Sequence, residues 1–295
     1  MYKVDSIDRG KNPALGFLSL TQTSNSRIPE VYQEVMKIAG ISGSYKCFTT
    51  TPEKLEDCLQ NFLDINLTGV NIGPPYQEEI IPLLATLSEG ANMIGAVNTI
   101  VHHGRFIKGY NTNSLGLMDA LATSGLKTAK CSSALVLGSG GAARSALFLL
   151  HWLGVPTITV AGRDLKKTES TTLHIGGGDP ALLEETLQQE IAANIVINAT
   201  TISNPQEAPA LAELVDRMPL TECQMVVDFN YDQENNLWHD LARSQKCPFL
   251  DGLTLLAYQT RHALTLWTGK QLPLKIVSEA LQKINDHPQQ PATSL

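Results

Sequence analysis

A glycine-rich segment that follows an apolar run and precedes a helix-forming run constrains the fold of this chain most strongly. The segment from Ser133 to Arg144 reads SALVLGSGGAAR and places Gly138, Gly140 and Ala143 at the spacing G-x-G-x-x-G/A. Gly138 permits a tight turn, and Gly140 lets the backbone approach a phosphate without a Cβ in the way. The pattern predicts a strand, turn and helix that bind a dinucleotide, and the alternative is an ordinary glycine-rich turn between a strand and a helix.

The bulk composition narrows the class of protein. The chain has 295 residues, enough for two domains, and its 43% hydrophobic content is typical of a globular protein. The net charge is −7 with both signs interspersed, which argues against a nucleic-acid partner. No apolar run reaches the length of a membrane span and no signal-peptide pattern opens the sequence, so we expect no membrane partner.

The five cysteines are scattered, odd in number and without a CxxC pair, and no histidine lies at a zinc-like spacing from any of them. This usage predicts reduced thiols in a cytoplasmic protein and no metal site.

Apolar runs alternate with helical patterns along the chain, which predicts an α/β fold. Strands are expected at 14–20, 45–49, 67–72, 133–137, 157–161, 195–200 and 225–229, with a hairpin over 96–101 and 104–109. Helices are expected at 29–39, 52–63, 114–124 and 143–150, and from 252 to about 283. The tail over 287–295 is rich in Pro and Gln and is predicted to be disordered.

The residues after the second strand of the glycine-rich unit bear on the choice of nucleotide. An acidic side chain there accepts a hydrogen bond from a ribose 2′-hydroxyl, whereas an arginine neutralises a 2′-phosphate. Arg163 and Asp164 are adjacent, and Lys166 and Lys167 follow. The basic residues favour NADP and leave NAD open, and the alternative is that this run is only a solvated loop.

Seven segments, taken in order along the chain, resemble the motifs of the shikimate dehydrogenase family, which includes the quinate/shikimate dehydrogenases. GVNIGPPYQ (69–77) is similar to G-x-N-V-T-x-P-x-K, GAVNT (95–99) to G-A-V-N-T, and GYNTN (109–113) to G-x-N-T-D. The other four are the glycine-rich turn, NAT (198–200), DFNY (228–231) and GLTLLAYQ (252–259) with WTG (267–269).

The resemblance implies two α/β domains: an N-terminal substrate domain completed by C-terminal helices, at 1–112 and 257–290, and a Rossmann-type NAD(P)-binding domain at 113–256. It implies NADP-dependent interconversion of 3-dehydroshikimate and shikimate, a small hydroxy acid as substrate, and a monomer or homodimer. The residues that it implies for the cofactor are Gly138, Gly140, Gly141, Ala142, Ala143, Arg163, Asp164, Thr200 and Gly252.

The resemblance also implies substrate-binding positions. Asn98 and Gln259 correspond to residues that hydrogen-bond ring hydroxyls, and Tyr231 to one near the substrate and nicotinamide. The family's S-x-S-P carboxylate clamp is out of phase here: Ser24 and Ser26 keep a role only if two residues are inserted, and otherwise Ser26 alone remains or both are ordinary loop serines.

The departures from the family pattern fall on the chemistry. Gln77 stands where the family has its catalytic Lys, Asn113 where it has the partner Asp, and Gly73 where it has a substrate-binding Thr. An amide holds hydrogen bonds but does not titrate, whereas alcohol oxidation needs a group that takes the proton. Three hypotheses follow: a slow dehydrogenase, the same scaffold acting on another substrate, or a non-catalytic nucleotide or metabolite sensor or interaction protein.

Overall fold

The computed structural model describes residues 12–20, 27–104, 106–126, 131–231 and 235–286. Ser24 and Ser26, the expected carboxylate clamp, lie outside the described residues, as does the expected disordered tail over 287–295. No helix among the described residues is long and apolar enough to cross a membrane.

Strands and helices alternate along the chain, which confirms the α/β class. The strands are β1 (Ala14–Ser19), β2 (Ser44–Thr49), β3 (Gly69–Ile72), β4 (Thr86–Leu87), β5 (Thr99–His102), β6 (Ile107–Tyr110), β7 (Ser133–Leu137), β8 (Thr157–Gly162), β9 (Asp179–Leu182), β10 (Ile191–Ala192), β11 (Ile195–Asn198), β12 (Leu220–Thr221), β13 (Met225–Asp228) and β14 (Phe249–Leu250). The helices are α1 (Ile28–Ile38), α2 (Leu55–Asp64), α3 (Tyr76–Glu79), α4 (Glu89–Ile94), α5 (Asn113–Thr123), α6 (Gly141–Trp152), α7 (Leu165–Ile175), α8 (Leu183–Leu187), α9 (Pro209–Asp216), α10 (Leu237–Ser244), α11 (Gly252–Thr268) and α12 (Leu274–Asp286).

These elements form two compact units. Unit 1 comprises Met1–Asn92, Ala96–Gly116 and Leu256–Leu295, and unit 2 comprises Met93–Gly95 and Leu117–Leu255. The assignment of one domain to substrate and one to nucleotide stays a prediction at this point.

Unit 1 contains a mixed six-stranded sheet in the order β2-β1-β3-β5-β6-β4. Strands β3, β5 and β6 pair antiparallel, and His102 lies opposite Ile107, which confirms the predicted hairpin. Helix α11 packs on this sheet: the indole Nε1 of Trp267 donates to the Ile100 carbonyl at 2.9 Å, and the ring covers Gly69 where a Cβ would stand. The C-terminal segment therefore completes the core of unit 1.

The predicted helical segment from 252 to about 283 is confirmed, and it consists of two helices. Helix α11 ends at Thr268, and Gly269 follows with a left-handed φ of 73°. A glycine in this conformation closes a helix, and Pro273 lies directly before the first residue of α12. The chain therefore forms two helices with a break over 269–273.

Unit 2 contains a six-stranded sheet in the order β14-β13-β11-β7-β8-β9, with every pair parallel. Counted from β7, this is the order 3-2-1-4-5-6 of a doubly wound dinucleotide-binding fold. All residues of β7, β11 and β13 are buried, as expected of parallel strands that are covered on both faces. The strand order reverses between β7 and β11, and ligands of such sheets bind outside the strand ends at this point.

Candidate functional site

The glycine turn after β7 lies at this reversal point in unit 2. Gly138 has a φ of +116°, and its N–H donates to the Ala161 carbonyl at 2.8 Å. A Cβ on Gly138 would lie 2.7 Å from the carbonyl oxygen of Ala199, which directly follows β11. Both the backbone conformation and the neighbouring strand end therefore require glycine here.

Gly140 serves a different purpose in the same turn. It is the N-cap of α6 with an extended backbone, and no heavy atom lies within 4 Å of the position that its Cβ would take. Gly141 and Ala142 are partly exposed in the first turn of this 12-residue helix, whereas Ala143 is buried. The first N–H groups of a helix have no partner within it, so this open end can bind an anion.

A buried carboxylate organises the ends of β11 and β13. Asp228 has no exposed surface and accepts five hydrogen bonds. Their donors are Asn198 Nδ2 at 2.8 Å, Ser203 Oγ at 2.6 Å, Asn230 N at 3.0 Å, Asn230 Nδ2 at 3.1 Å and Asn236 Nδ2 at 2.7 Å. Burial raises the pKa of Asp228, and the hydrogen bonds, that of Ser203 foremost, oppose this rise. We call Asp228 and these four donor residues the Asp228 cluster.

The Asp228 cluster fixes two neighbouring segments through its asparagines. Asn198 Oδ1 accepts from both the backbone N and the hydroxyl of Thr200, at 3.1 and 2.7 Å. Asn236 Oδ1 caps α10 by accepting from the N–H groups of Trp238 and His239. The sequence motifs contained Asp228 and Asn198 but gave no reason to select Ser203 or Asn236, because strand pairing brings these residues together.

Asp164, after β8, caps α7. Its Oδ1 accepts from the N–H of Lys167 at 3.2 Å, and its carbonyl accepts from the Thr168 hydroxyl at 2.8 Å. Arg163 and Lys166 are exposed beside it. The carboxylate is thus engaged with the helix N-terminus, while basic side chains surround this strand end.

Gly252, which the resemblance assigns to the cofactor, has a packing reason to be glycine. Its N–H donates to the Asn230 carbonyl at 3.0 Å, and a Cβ would collide with the carbonyl oxygens of Phe229 and Asn230. Tyr231 follows β13 and is partly exposed.

In unit 1, a buried amide organises the predicted substrate residues. Asn98 is 1% exposed, and its Oδ1 accepts from the backbone N–H of Thr112 at 2.7 Å. Its Nδ2 donates to Thr112 Oγ1 at 3.0 Å and to Asn113 Oδ1 at 2.8 Å. The structure thus brings Asn98 and Asn113 into direct contact, and a bond from Asn98 to a ligand would require one of these bonds to be given up.

A line of neutral side chains extends from Asn98 into the sheet. Tyr45 donates to Asn71 Oδ1 at 2.8 Å, Asn71 Nδ2 donates to Thr99 Oγ1 at 3.0 Å, and Thr99 Oγ1 lies 2.9 Å from Thr112 Oγ1. Asn71 and Thr99 are directly opposite each other on β3 and β5. We call the six residues Tyr45, Asn71, Asn98, Thr99, Thr112 and Asn113 the Asn98 cluster.

Gln77 lies on α3 and is half-buried. Its side-chain Nε2 donates to the Ile72 carbonyl at 3.0 Å, and its backbone carbonyl accepts from the N–H of Val97 at 2.7 Å. The neighbouring Tyr76 is fully buried and donates to the Thr50 carbonyl, so its hydroxyl is already engaged.

Gly73 is explained by its neighbour Phe17. A Cβ on Gly73 would lie 2.7 Å from Phe17 Cζ and 3.2 Å from the Leu18 carbonyl oxygen. The space that a threonine side chain needs at this position is filled by an aromatic ring.

Gln259 lies half-buried on α11, and within the described part of the chain its side chain makes no hydrogen bond. Among the described residues, no group of three or more His, Cys, Asp or Glu side chains could hold a metal ion.

Comparison with known proteins places the chain in a family. Residues 21–100 match the model of the shikimate dehydrogenase substrate binding domain. The chain is 31% identical over 271 residues to the shikimate dehydrogenase (NADP(+)) of Moorella thermoacetica, covering 88% of this chain and 89% of that protein. The chain therefore belongs to the shikimate dehydrogenase family.

Solved structures agree with this assignment. Shikimate 5-dehydrogenase from Thermus thermophilus, in complex with NADP(H) and shikimate, has a TM-score of 0.77 and 28% identity, covering 92% of this chain and 99% of that one. The enzyme from Listeria monocytogenes, in complex with shikimate and NAD, has a TM-score of 0.76 and 26% identity, covering 92% of this chain and 97% of that one.

Proposed function

We propose that this protein is an NADP-dependent oxidoreductase that acts on shikimate or a closely similar hydroxy acid, with unit 2 holding the nucleotide and unit 1 the substrate. The observation that carries the proposal is the glycine turn at the strand-order reversal of unit 2, in a chain that belongs to the shikimate dehydrogenase family. The family relatives named above carry this activity in their names, and the retained glycines and Asn98 support its transfer to this chain.

The residues of unit 2 fit a dinucleotide. The open space at Gly140 and the partly exposed first turn of α6 leave room for a pyrophosphate beside unpaired N–H groups. Gly138 positions this turn against Ala199, and the Asp228 cluster fixes Thr200 on the adjoining strand end. When bound, the nucleotide supplies hydride exchange with the substrate carbon.

The end of β8 supports NADP rather than NAD. Asp164 is used as the cap of α7, so its carboxylate is held by the helix N-terminus. Arg163 and Lys166 are exposed and supply positive charge for a 2′-phosphate. We expect NADPH to bind more tightly than NADH.

The substrate residues of unit 1 support binding better than turnover. Asn113 and Gln77 offer hydrogen bonds but cannot take or give a proton at neutral pH. General acid–base groups contribute about 10²–10⁴-fold to rate, so we expect slow oxidation of shikimate. The third hypothesis, a nucleotide or metabolite sensor, is supported by the same two amide side chains and becomes one outcome of the test.

The test is a fluorescence titration with NADPH and NADH, followed by assays of NADP reduction with shikimate and quinate. We expect NADPH binding, slow turnover, and a gain of about 10²-fold or more in the double variant Gln77→Lys/Asn113→Asp. NADPH binding without turnover in either protein would favour the sensor. Absence of nucleotide binding would contradict the interpretation of the glycine turn.

We also propose a reducing, cytoplasmic location, supported by five free cysteines. The sulfur atoms of Cys223 and Cys247 lie 3.7 Å apart, beyond bonding distance. Sedimentation of the purified protein would distinguish the monomer from the homodimer.

A further inference from the structure

The hydrogen-bond directions in the Asn98 cluster determine which atom of Asn113 is left open. A backbone N–H can only donate, so the atom of Asn98 that lies 2.7 Å from Thr112 N must be the oxygen. The Nδ2 of Asn98 therefore faces Asn113, at 2.8 Å from its side chain. Because this Nδ2 can only donate, the atom of Asn113 that accepts from it must be Oδ1. The Nδ2 of Asn113 is then the atom that is not used in this contact.

Asn113 Nδ2 is a donor without an acceptor among the residues that the structure describes. The side chain lies at the first position of α5, and the residue is 9% exposed. A carboxylate at this position would accept the same bond from Asn98 and leave a second oxygen, which is an acceptor. The amide therefore changes the open atom at this site from an acceptor to a donor.

We propose that Asn113 makes the site selective for a ligand that presents a carbonyl oxygen here, a ring keto acid, over the corresponding alcohol. This inference rests on the proposed function, which supplies the class of ligand. A carbonyl oxygen accepts from Asn113 Nδ2 and needs nothing more. The hydrogen of an alcohol needs an acceptor, and both lone pairs of Asn98 Oδ1 are already engaged. One accepts from the Thr112 N–H at 2.7 Å, and the other faces the hydroxyls of Thr112 and Thr99 at 3.3 and 3.4 Å. A polar group left without its bond costs about tenfold in affinity.

Gln77 has one acceptor that bears on this selectivity. Because its Nε2 donates to the Ile72 carbonyl, the orientation of its amide is fixed and its Oε1 is the remaining acceptor. An alcohol hydrogen that reached this oxygen would be satisfied, and the preference for the ketone would disappear. The affinity ratio of the two ligands therefore tests the geometry directly.

The experiment is calorimetric titration of the full-length protein with 3-dehydroshikimate and with shikimate. In the wild type we expect the ketone to bind about tenfold more tightly than the alcohol. In Asn113→Asp this ratio should fall to one or below, because the second carboxylate oxygen accepts from the alcohol. The added charge acts on both ligands alike, so the ratio isolates the change from donor to acceptor.

The matched control is Gln282→Glu, the same amide-to-carboxylate change at an exposed position of α12, which should keep the wild-type ratio. A wild-type ratio near one, or a ratio that Asn113→Asp leaves unchanged, overturns the inference while the proposed function stands. If NADPH binds and neither ring acid does, the substrate half of the proposed function fails and the selectivity fails with it. The wild-type measurement decides even if the variant does not fold.

Discussion

Each unit contains its own buried polar cluster near its strand ends, and the cluster of unit 2 is charged whereas that of unit 1 is neutral. Asp228 in unit 2 is a carboxylate that can only accept, and five donors surround it. Asn98 in unit 1 is a neutral amide that both donates and accepts. Because its Oδ1 accepts from Thr112 N, its Nδ2 donates to Asn113 Oδ1. Both residues are almost completely buried, at 0% and 1% exposed.

This comparison shows that the charge of a buried cluster determines whether any of its polar atoms is left without a hydrogen-bond partner. A buried carboxylate is tolerated only when its lone pairs are satisfied, so the Asp228 cluster is closed on itself and fixes backbone. A neutral cluster costs less to bury, and the direction of its bonds determines the identity of the last atom, here Asn113 Nδ2. The first kind of cluster builds a rigid site, and the second sets what the site recognises.

The largest effect should come from removing the charged cluster. In Asp228→Ala several buried donors lose their acceptor together, and we expect the free energy of unfolding to fall by about 3–5 kcal/mol. Urea denaturation measures this change. Asp216→Ala, at an exposed position of α9, is the control and should change stability little. A loss below about 1 kcal/mol for Asp228→Ala would show that water replaces the carboxylate.

Removing the neutral cluster should cost less. Asn98→Ala leaves the Thr112 N–H and the side-chain Oδ1 of Asn113 without these partners. We expect the free energy of unfolding, measured in the same way, to fall by about 2–3 kcal/mol. Asn61→Ala on the exposed face of α2 is the matched control. If Asn98→Ala proved as costly as Asp228→Ala, the proposed distinction between charged and neutral clusters would be wrong.

The pH dependence of stability should distinguish the clusters further. Burial raises the pKa of Asp228 above its value in the unfolded chain, so the folded state binds this proton more tightly. The associated stability is present below the unfolded pKa and is lost as the pH rises through the folded pKa. Unfolding of wild type and Asp228→Asn across this window should therefore show the wild type losing stability relative to the variant, with a constant difference above it. If the wild type instead gained stability relative to Asp228→Asn as the pH rises, the sign of the predicted pKa change would be wrong.

The smallest effect is expected at Gln77, which joins neither cluster. Gln77→Ala removes one half-buried hydrogen bond to the Ile72 carbonyl, and we expect a loss of about 0.5–1.5 kcal/mol. Gln60→Ala, which removes an exposed bond to Asp64 on α2, should cost less. Equal losses for the two variants would mean that burial adds nothing to the Gln77 bond.

Much of the fold could be predicted because its signals are local. The glycine turn with its flanking strand and helix, the hairpin and the buried parallel strands all depend on residues close together in the sequence. The helical C-terminal segment was predicted as well, and the structure adds the position of its break, at Gly269 with its left-handed φ and at Pro273 before α12.

The site was less predictable because its key relations join distant residues. The roles of Asp164 as a helix cap and of Gly73 as the partner of Phe17 depend on where neighbouring elements pack. Neither residue carries a local signal that separates these roles from a role in binding.

The sequence by itself determined the α/β class, the glycine turn between β7 and α6 and the neutral amide side chains at positions 77 and 113, since each is a property of a short segment. Only the tertiary structure decided that Asn98 is saturated within the protein and that Asn113 is left with an open donor. The physical reason is that a hydrogen bond has a direction, and the direction of a buried amide is set by partners that only folding brings to it.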